Sequence, residues 1–256
     1  MNTNILGVVG YSGSGKKDLV GHFDRLDARV YVFDFDTLRD NAAQKPRHKK
    51  ELKRLLGDKI FKRVGGAEVL DMNHLYTQPD VKILKAQELL MKDMEKEVFE
   101  TVVRMKDKCD IFVVADYMLP LSGRIWNRCM RVYVDADEAQ RHARLETRVG
   151  LSCDQNEAKK RDRLTRAAWK TRIENGESMT DSEVEMAIKS KCKVISNKGT
   201  YDEFKVLVYA FFENTMKLVP PWKKPKRGAV RKQREAVRGG ADSGRVAGAT
   251  KGARKV

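Results

Sequence analysis

The chain has 256 residues, 41% of them hydrophobic, and a formal net charge of +16. That length can bury one sizeable α/β domain or two small ones, and no apolar run approaches the roughly 20 residues needed to span a bilayer. Four scattered cysteines (Cys109, Cys129, Cys153, Cys192) lack C-x-x-C spacing, which argues for reduced thiols in a cytosol-like compartment and against a zinc site or disulfide framework.

The first apolar run, Ile5–Val9, reads as a strand rather than a signal peptide. It leads directly into Gly10-Tyr11-Ser12-Gly13-Ser14-Gly15-Lys16, a G-x-x-x-x-G-K pattern. A strand, a glycine-rich loop and a helix start form the setting of a phosphate-binding loop. The glycines bring backbone N–H groups close to an anion, the helix N-terminus adds a positive dipole end, and Lys16 reaches a nucleotide's outer phosphates. Gly10, Ser12, Gly13, Ser14, Gly15, Lys16, Lys17 and Asp18 are thus the candidate nucleotide contacts. One position departs from the pattern: the Ser or Thr whose hydroxyl holds Mg²⁺ is Lys17.

Lys17 to about Leu26 predicts a helix, with Leu19, Val20 and Phe23 on one face. Val30–Phe33 predicts a second strand, followed by Asp34-Phe35-Asp36. If strand geometry continues, residues i and i+2 face one side, and both carboxylates point into one crevice. One would then accept a proton and the other would bind Mg²⁺. The competing reading is a solvated strand end, or a cap for a helix starting at Thr37.

A long charged insertion comes next and reads as mostly helical. Leu52, Leu55, Leu56 and Ile60 suggest one amphipathic helix, and Ile83, Leu84, Leu89, Leu90, Met94 and Val98 another. Ile111–Ala115 predicts the third strand. Asp116 ends it, placed either to orient Mg²⁺ through water or to cap a turn. Arg131–Asp135 predicts the fourth strand, with Asp135 and Asp137 as turn and cap residues. Arg141, Arg144 and Arg148 then recur at spacings of three and four, on one helix face. Beside a phosphate loop such a face suits a lid that neutralises developing charge; otherwise it is a solvated basic surface. Arg161, Arg163 and Arg166 extend the same region. Lys193–Ser196 predicts the fifth strand, ending in Asn197-Lys198-Gly199.

Short apolar strands alternating with helices predict a doubly wound parallel sheet with right-handed crossovers. Ligands of such sheets sit at the carboxyl ends of the strands, where Gly10, Asp34, Asp36 and Asp116 fall. From Pro220 the composition turns to Pro, Gly, Ala and basic residues, which predicts a disordered tail. Residues 217–256 hold thirteen Lys/Arg and two Asp/Glu, a net +11, leaving +5 for the rest. Lys223-Lys224-Pro225-Lys226-Arg227 with Arg231-Lys232-Gln233-Arg234 has the composition of a nuclear-import or nucleic-acid-binding run, of an anchor for an anionic membrane surface, or of a solubilising tail.

Taken together, the ordered motifs resemble the dephospho-coenzyme A kinase family. The resemblance rests on the Gly10–Lys16 loop, the Asp34-x-Asp36 pair, and Asp116-Tyr117-Met118-Leu119-Pro120-Leu121 as a shifted D-x-x-L-L. It continues through Gln140, Arg144, Leu145 and Arg148, then Gly150-Leu151-Ser152, and Asn197-Lys198-Gly199 before an acidic-aromatic helix start. It spans roughly Asn4 to Met216.

The resemblance implies a fold of P-loop kinase type: a core over 1–40 and 108–216, a substrate-binding helical insertion over about 41–107, and a lid over about 141–175, with 217–256 as the tail. It implies transfer of the ATP γ-phosphoryl, with Mg²⁺, to the ribose 3′-hydroxyl of dephospho-coenzyme A. By that analogy Asp34 and Asp36 supply the base, Asp34, Asp36 and Asp116 the metal shell, Arg144 and Arg148 the phosphate clamp, and Asn197–Gly199 the adenine loop. A cytoplasmic location is expected, or a nuclear one if the tail is an import signal.

Several positions depart from the family. Lys17 replaces Ser/Thr, about two extra residues separate Lys16 from Asp34, Asp71-Met72 stands for Asp-Arg, and the His-Pro of the substrate helix and the glutamate after D-x-x-L-L are missing. A diverged enzyme, another nucleoside or nucleotide kinase, and a nucleotide-binding protein that has lost catalysis and uses its tail on nucleic acid all stay open.

Overall fold

Five apolar runs form one parallel sheet. In the structure, a computed structural model that describes residues 5–26, 29–147 and 154–217, β1 (Ile5–Val9) leads through the glycine loop into α1 (Lys16–Leu26) and then β2 (Val30–Phe33). The insertion comprises α2 (Phe35–Gln44), α3 (Pro46–Leu56), β3 (Phe61–Val64), β4 (Ala67–Leu70), α4 (Met72–Thr77) and α5 (Asp80–Met105). The chain returns to the sheet with β5 (Ile111–Ala115), then the single-turn α6 (Gly123–Trp126) and β6 (Met130–Asp135). It ends with α7 (Glu138–Glu146), α8 (Gln155–Lys170), α9 (Asp181–Lys189), β7 (Lys193–Ser196) and α10 (Tyr201–Lys217).

The strand order is β2-β5-β1-β6-β7, and every neighbouring pair is parallel. Central β1 is buried along its whole length, as is β5 except at Ala115. Burial of successive residues means that both faces are covered, as a parallel sheet flanked by helices requires. Edge strand β7 buries only Ile195. The order places the ends of β2 and β5 beside the loop that follows β1, so the second strand's carboxylates and Asp116 come near the glycines although 82 residues separate Asp34 from Asp116 in sequence.

The insertion is mostly helical, as expected, but it also holds a hairpin. Helix α3 stops at Leu56 because Gly57 leaves helical space with φ 88°. Ile60 then falls in a 3₁₀ turn, and Phe61–Leu70 form an antiparallel hairpin. Its turn, Gly65-Gly66, has φ of 58° and 86°, the two positive values that a tight hairpin connection takes. A carboxylate cluster fastens α3 to α5: Asp93 accepts from Lys45, Arg47 and buried His48. Burial pushes the Asp93 carboxyl up, but these three donors outweigh it and hold the group well below its usual range.

The chain divides into two units, Met1–Met216 and Lys217–Val256, and the described residues lie in the first apart from Lys217. Arg148, Gly150-Leu151-Ser152 and the basic run after Pro220 fall outside the described residues. No helix among the described residues is long and apolar enough to cross a membrane.

Candidate active site

The glycine loop closes tightly on α7 and on the segment after β7. Gly10, Gly13 and Gly15 all take positive φ, at 145°, 76° and 95°. A side chain at Gly13 would put its Cβ 2.5 Å from the Arg141 carbonyl oxygen. Gly13→Ala is therefore expected to destabilise the protein by about 1–3 kcal/mol and to weaken nucleotide binding. Urea unfolding and ATP titration of the variant check this, and an unchanged midpoint would show that the loop yields.

Three side chains hold the outside of the loop. Asn197 Nδ2 donates to the Ser14 carbonyl at 2.8 Å, Arg144 donates to the Gly13 carbonyl at 3.3 Å, and Arg141 donates to the Ser12 carbonyl at 3.2 Å. Arg144 also reaches Asn197, its Nη2 lying 3.5 Å from both the carbonyl and the side-chain oxygen. Gly199 is exposed beside Thr200, whose N–H and hydroxyl both donate to Glu203 and start α10. Arg144 and Asn197 thus meet on one side of the loop, although 53 residues separate them.

Lys16 and Lys17 open α1 and go to different partners. Lys16 Nζ donates to the carbonyls of Gly10 and Tyr11, at 2.8 and 2.7 Å, folding back over the loop. Burial pushes its ammonium down to about 8, with Asp116 partly opposing the shift. Ser14 is 1% exposed, and its hydroxyl has no partner among the described residues. An orphaned hydroxyl inside a glycine loop fits a phosphate oxygen. Asp18, exposed in the first turn, sits where a negative charge suits the helix dipole.

The Asp34-Phe35-Asp36 segment departs from strand geometry. Strand β2 ends at Phe33, Asp34 is the N-cap of α2, and Asp36 lies in that helix's first turn. The helix starts at Phe35 rather than Thr37, so the argument from alternation along a strand does not apply. Asp34 is exposed and accepts from the N–H of Asp36 at 3.0 Å and from the Thr37 hydroxyl at 2.9 Å. Asp36 accepts from Lys17 at 2.6 Å and from Arg39 at 3.0 Å. Burial alone would raise the Asp36 carboxyl, but Arg39 and then Lys17 outweigh it and hold the group below its usual range.

Asp116 accepts from the Met118 N–H at 2.6 Å and shapes the turn after β5. Burial pushes its carboxyl up. The three carboxylates expected to share Mg²⁺ therefore have separate duties: one caps a helix, one pairs with two cations, and one holds a turn. No group of three or more His, Cys, Asp and Glu side chains among the described residues is placed to hold a metal ion. With an ammonium where the hydroxyl ligand belongs, these residues do not fit a magnesium ion anchored by the protein.

The arginine face is also divided. Arg141 is 3% exposed and spends its guanidinium on Asp162, in a two-pronged pair at 2.9 and 2.8 Å. It is a structural brace under the loop rather than a lid cation, whereas Arg144 faces the loop and Asn197.

Five residues not singled out from the sequence as a group gather around the turn after β5. Arg39, 8% exposed, comes from α2. Tyr76 and Tyr117 share a hydroxyl–hydroxyl hydrogen bond of 2.8 Å. Arg161 stacks on Tyr76 with 4.5 Å from Cζ to the ring centroid. Trp169 donates to the Tyr117 carbonyl at 3.0 Å and lies 4.9 Å, centroid to centroid, from loop residue Tyr11. Burial raises the phenols of Tyr76 and Tyr117, so both remain neutral hydrogen-bonding groups.

No protein-family model matches this sequence, and no curated protein does. Solved structures do match. The crystal structure of TT1252 from Thermus thermophilus shares 20% identity at a TM-score of 0.55, over 84% of this chain and 98% of that one. Dephospho-CoA kinase from Campylobacter jejuni shares 14% identity at a TM-score of 0.51, over the same shares of the two chains. At these identities the likeness speaks for architecture: the chain has the α/β fold of a dephospho-CoA kinase, a parallel sheet with flanking helices and the glycine loop after its first strand.

Proposed function

We propose that this protein is an ATP-dependent kinase whose acceptor is the ribose 3′-hydroxyl of dephospho-coenzyme A. The observation that carries the reading is the placement of the Gly10–Lys16 loop, exposed Asp34 and half-buried Asp116 at the carboxyl ends of three adjacent strands, β1, β2 and β5, where ligands of such sheets bind. The fold, similar to that of a dephospho-CoA kinase, supports this choice of acceptor.

In this reading the loop N–H groups, the Ser14 hydroxyl and Lys16 hold the ATP phosphates, and the Arg144–Asn197–Gly199 side takes the adenine. Asp34, oriented by its cap bonds, accepts the proton of the acceptor hydroxyl. The hydroxyl oxygen attacks the γ-phosphorus, the bond to the β–γ bridging oxygen breaks, and ADP departs. Positioning and charge neutralisation carry most of such a transfer. Arg39 and Arg161, with Tyr76 and Tyr117, form the wall against which the acceptor lies.

A coupled ADP-release assay with dephospho-coenzyme A tests this reading, and nucleosides and nucleoside monophosphates in the same assay test for another acceptor. Turnover lost in Lys16→Ala is expected. Turnover no greater than that of the variant with every acceptor overturns it and leaves the second reading, a nucleotide-binding protein without transfer, which the occupied state of Asp36 favours.

A pH profile checks the role of Lys16. With its ammonium pushed down to about 8 in the free protein, ATP binding above that pH must take up a proton. Affinity is expected to be flat between pH 6 and 7.5 and then to fall by about tenfold per pH unit from roughly pH 8.5. A flat profile to pH 9.5 would place the phosphate contact elsewhere.

A further inference from the structure

The residue after the loop lysine is the sharpest departure of this chain, and the structure gives it a partner. Lys17 is exposed over 68% of its side chain, yet its Nζ lies 2.6 Å from Asp36 Oδ2. An ammonium has three N–H donors. Asp36 takes one and leaves two that can turn to phosphate oxygens at the mouth of the loop. Arg39 holds the other oxygen of Asp36 at 3.0 Å, so this carboxylate is fixed by two cations. A divalent ion approaching Asp36 must displace Lys17 and then sit beside it, against like charge.

From this we infer that the Lys17 ammonium, held in place by Asp36, is this protein's own cation for the outer phosphates, and that nucleotide binding to the loop is independent of divalent metal. The inference rests on the phosphate-binding reading of the Gly10–Lys16 loop but not on catalysis. Lys17 and Lys16 would flank the phosphates from the two sides of the helix start, Lys16 from within the loop and Lys17 from its rim. The hydroxyl normally found at this position contributes only a ligand, so the charge must come with the metal. Lysine brings the charge and needs no metal to carry it.

The test is calorimetric titration of ATP into the full chain, in excess EDTA and in excess Mg²⁺, with wild type, Lys17→Ser and Lys17→Met. Wild-type dissociation constants are expected to agree within about threefold between the two conditions, while Lys17→Ser loses about tenfold or more without metal and regains it with Mg²⁺. Lys17→Met is expected to lose the same metal-free affinity. Because Lys17 is a surface residue, unchanged thermal unfolding of the free variants shows that they fold. The inference is overturned if Mg²⁺ tightens wild-type binding about tenfold or more, if Lys17→Met binds ATP in EDTA as well as wild type does, or if ATP does not bind in either condition. Metal-free ATP binding without turnover would sink the kinase reading and leave this one standing.

Discussion

Asp162→Ala is expected to destabilise the protein by about 3–5 kcal/mol, since it removes one partner of a buried ion pair and strands the other. Asp162 is 2% exposed and faces Arg141 at 3%. It also lies 3.2 Å from His142 Nε2. Among the described residues the other partners of Arg141 are neutral: the Ser12 carbonyl and the face of Tyr11, 4.6 Å from Cζ to the ring centroid. A loss of that size is a large fraction of the roughly 5–15 kcal/mol that holds a domain together. Urea unfolding measures it, and a change below about 1 kcal/mol would mean that water replaces the carboxylate at little expense.

The same pair couples stability to the nucleotide loop. In Arg141→Met/Asp162→Leu both charges are gone, and exchanging a buried ion pair for apolar packing is often neutral or favourable. Stability should therefore recover most of the way. ATP affinity should not, because the hydrogen bond from Arg141 to the Ser12 carbonyl is lost in the double variant as well. Recovery of both properties would show that the loop keeps its shape without this brace.

How far the chain could be read in advance depended on the range over which each signal acts. The five parallel strands are local: short, apolar and rich in Val, Ile and Phe, they stand out wherever both faces are covered. The strand–loop–helix around Gly10–Lys16 is local too. The β3–β4 hairpin was hidden because Phe61–Val64 buries only Phe61, so its lysine and arginine read as a continuation of the charged helices; Gly65-Gly66 was the available signal. A shared strand face for Asp34 and Asp36 requires three more residues of strand past Phe33, whereas the capping bonds of Asp34 to Asp36 and Thr37 end the strand there.

The cluster around Tyr117 was out of reach for a different reason. Arg39, Tyr76, Tyr117, Arg161 and Trp169 come from α2, α4, the turn after β5, and α8, and no spacing rule links them. One clue did exist. Leu164, Ala168 and Trp169, with Asp162 set between two arginines, mark the side of α8 that turns inward. All four are nearly inaccessible in the structure.

Lys16→Met separates what the loop lysine does for binding from what it does for folding. In the free protein Lys16 donates to two carbonyls, each such bond contributing about 1 kcal/mol, while burial opposes its charge and pushes it down to about 8. For a lysine whose folded pKa lies below its unfolded value, the unfolded chain binds more protons between about pH 8 and 10.5. Stability from this group therefore rises with pH across that window and is lowest below pH 8, where the charged form is buried.

Methionine removes the burial cost and the two hydrogen bonds together. The free variant should thus unfold within a few degrees of wild type at pH 7, and its stability should lack the Lys16 rise between pH 8 and 10.5. Binding is another matter, because the charge that faces the phosphates is gone. ATP at about a hundred times its dissociation constant should stabilise wild type by about 2.7 kcal/mol and Lys16→Met not measurably. Turnover should fall by a factor of about 10² to 10³ or more. A variant that is still stabilised by ATP, or that retains the pH-dependent loss of affinity expected of wild type, would move the phosphate-binding role from Lys16 to another cation of the loop.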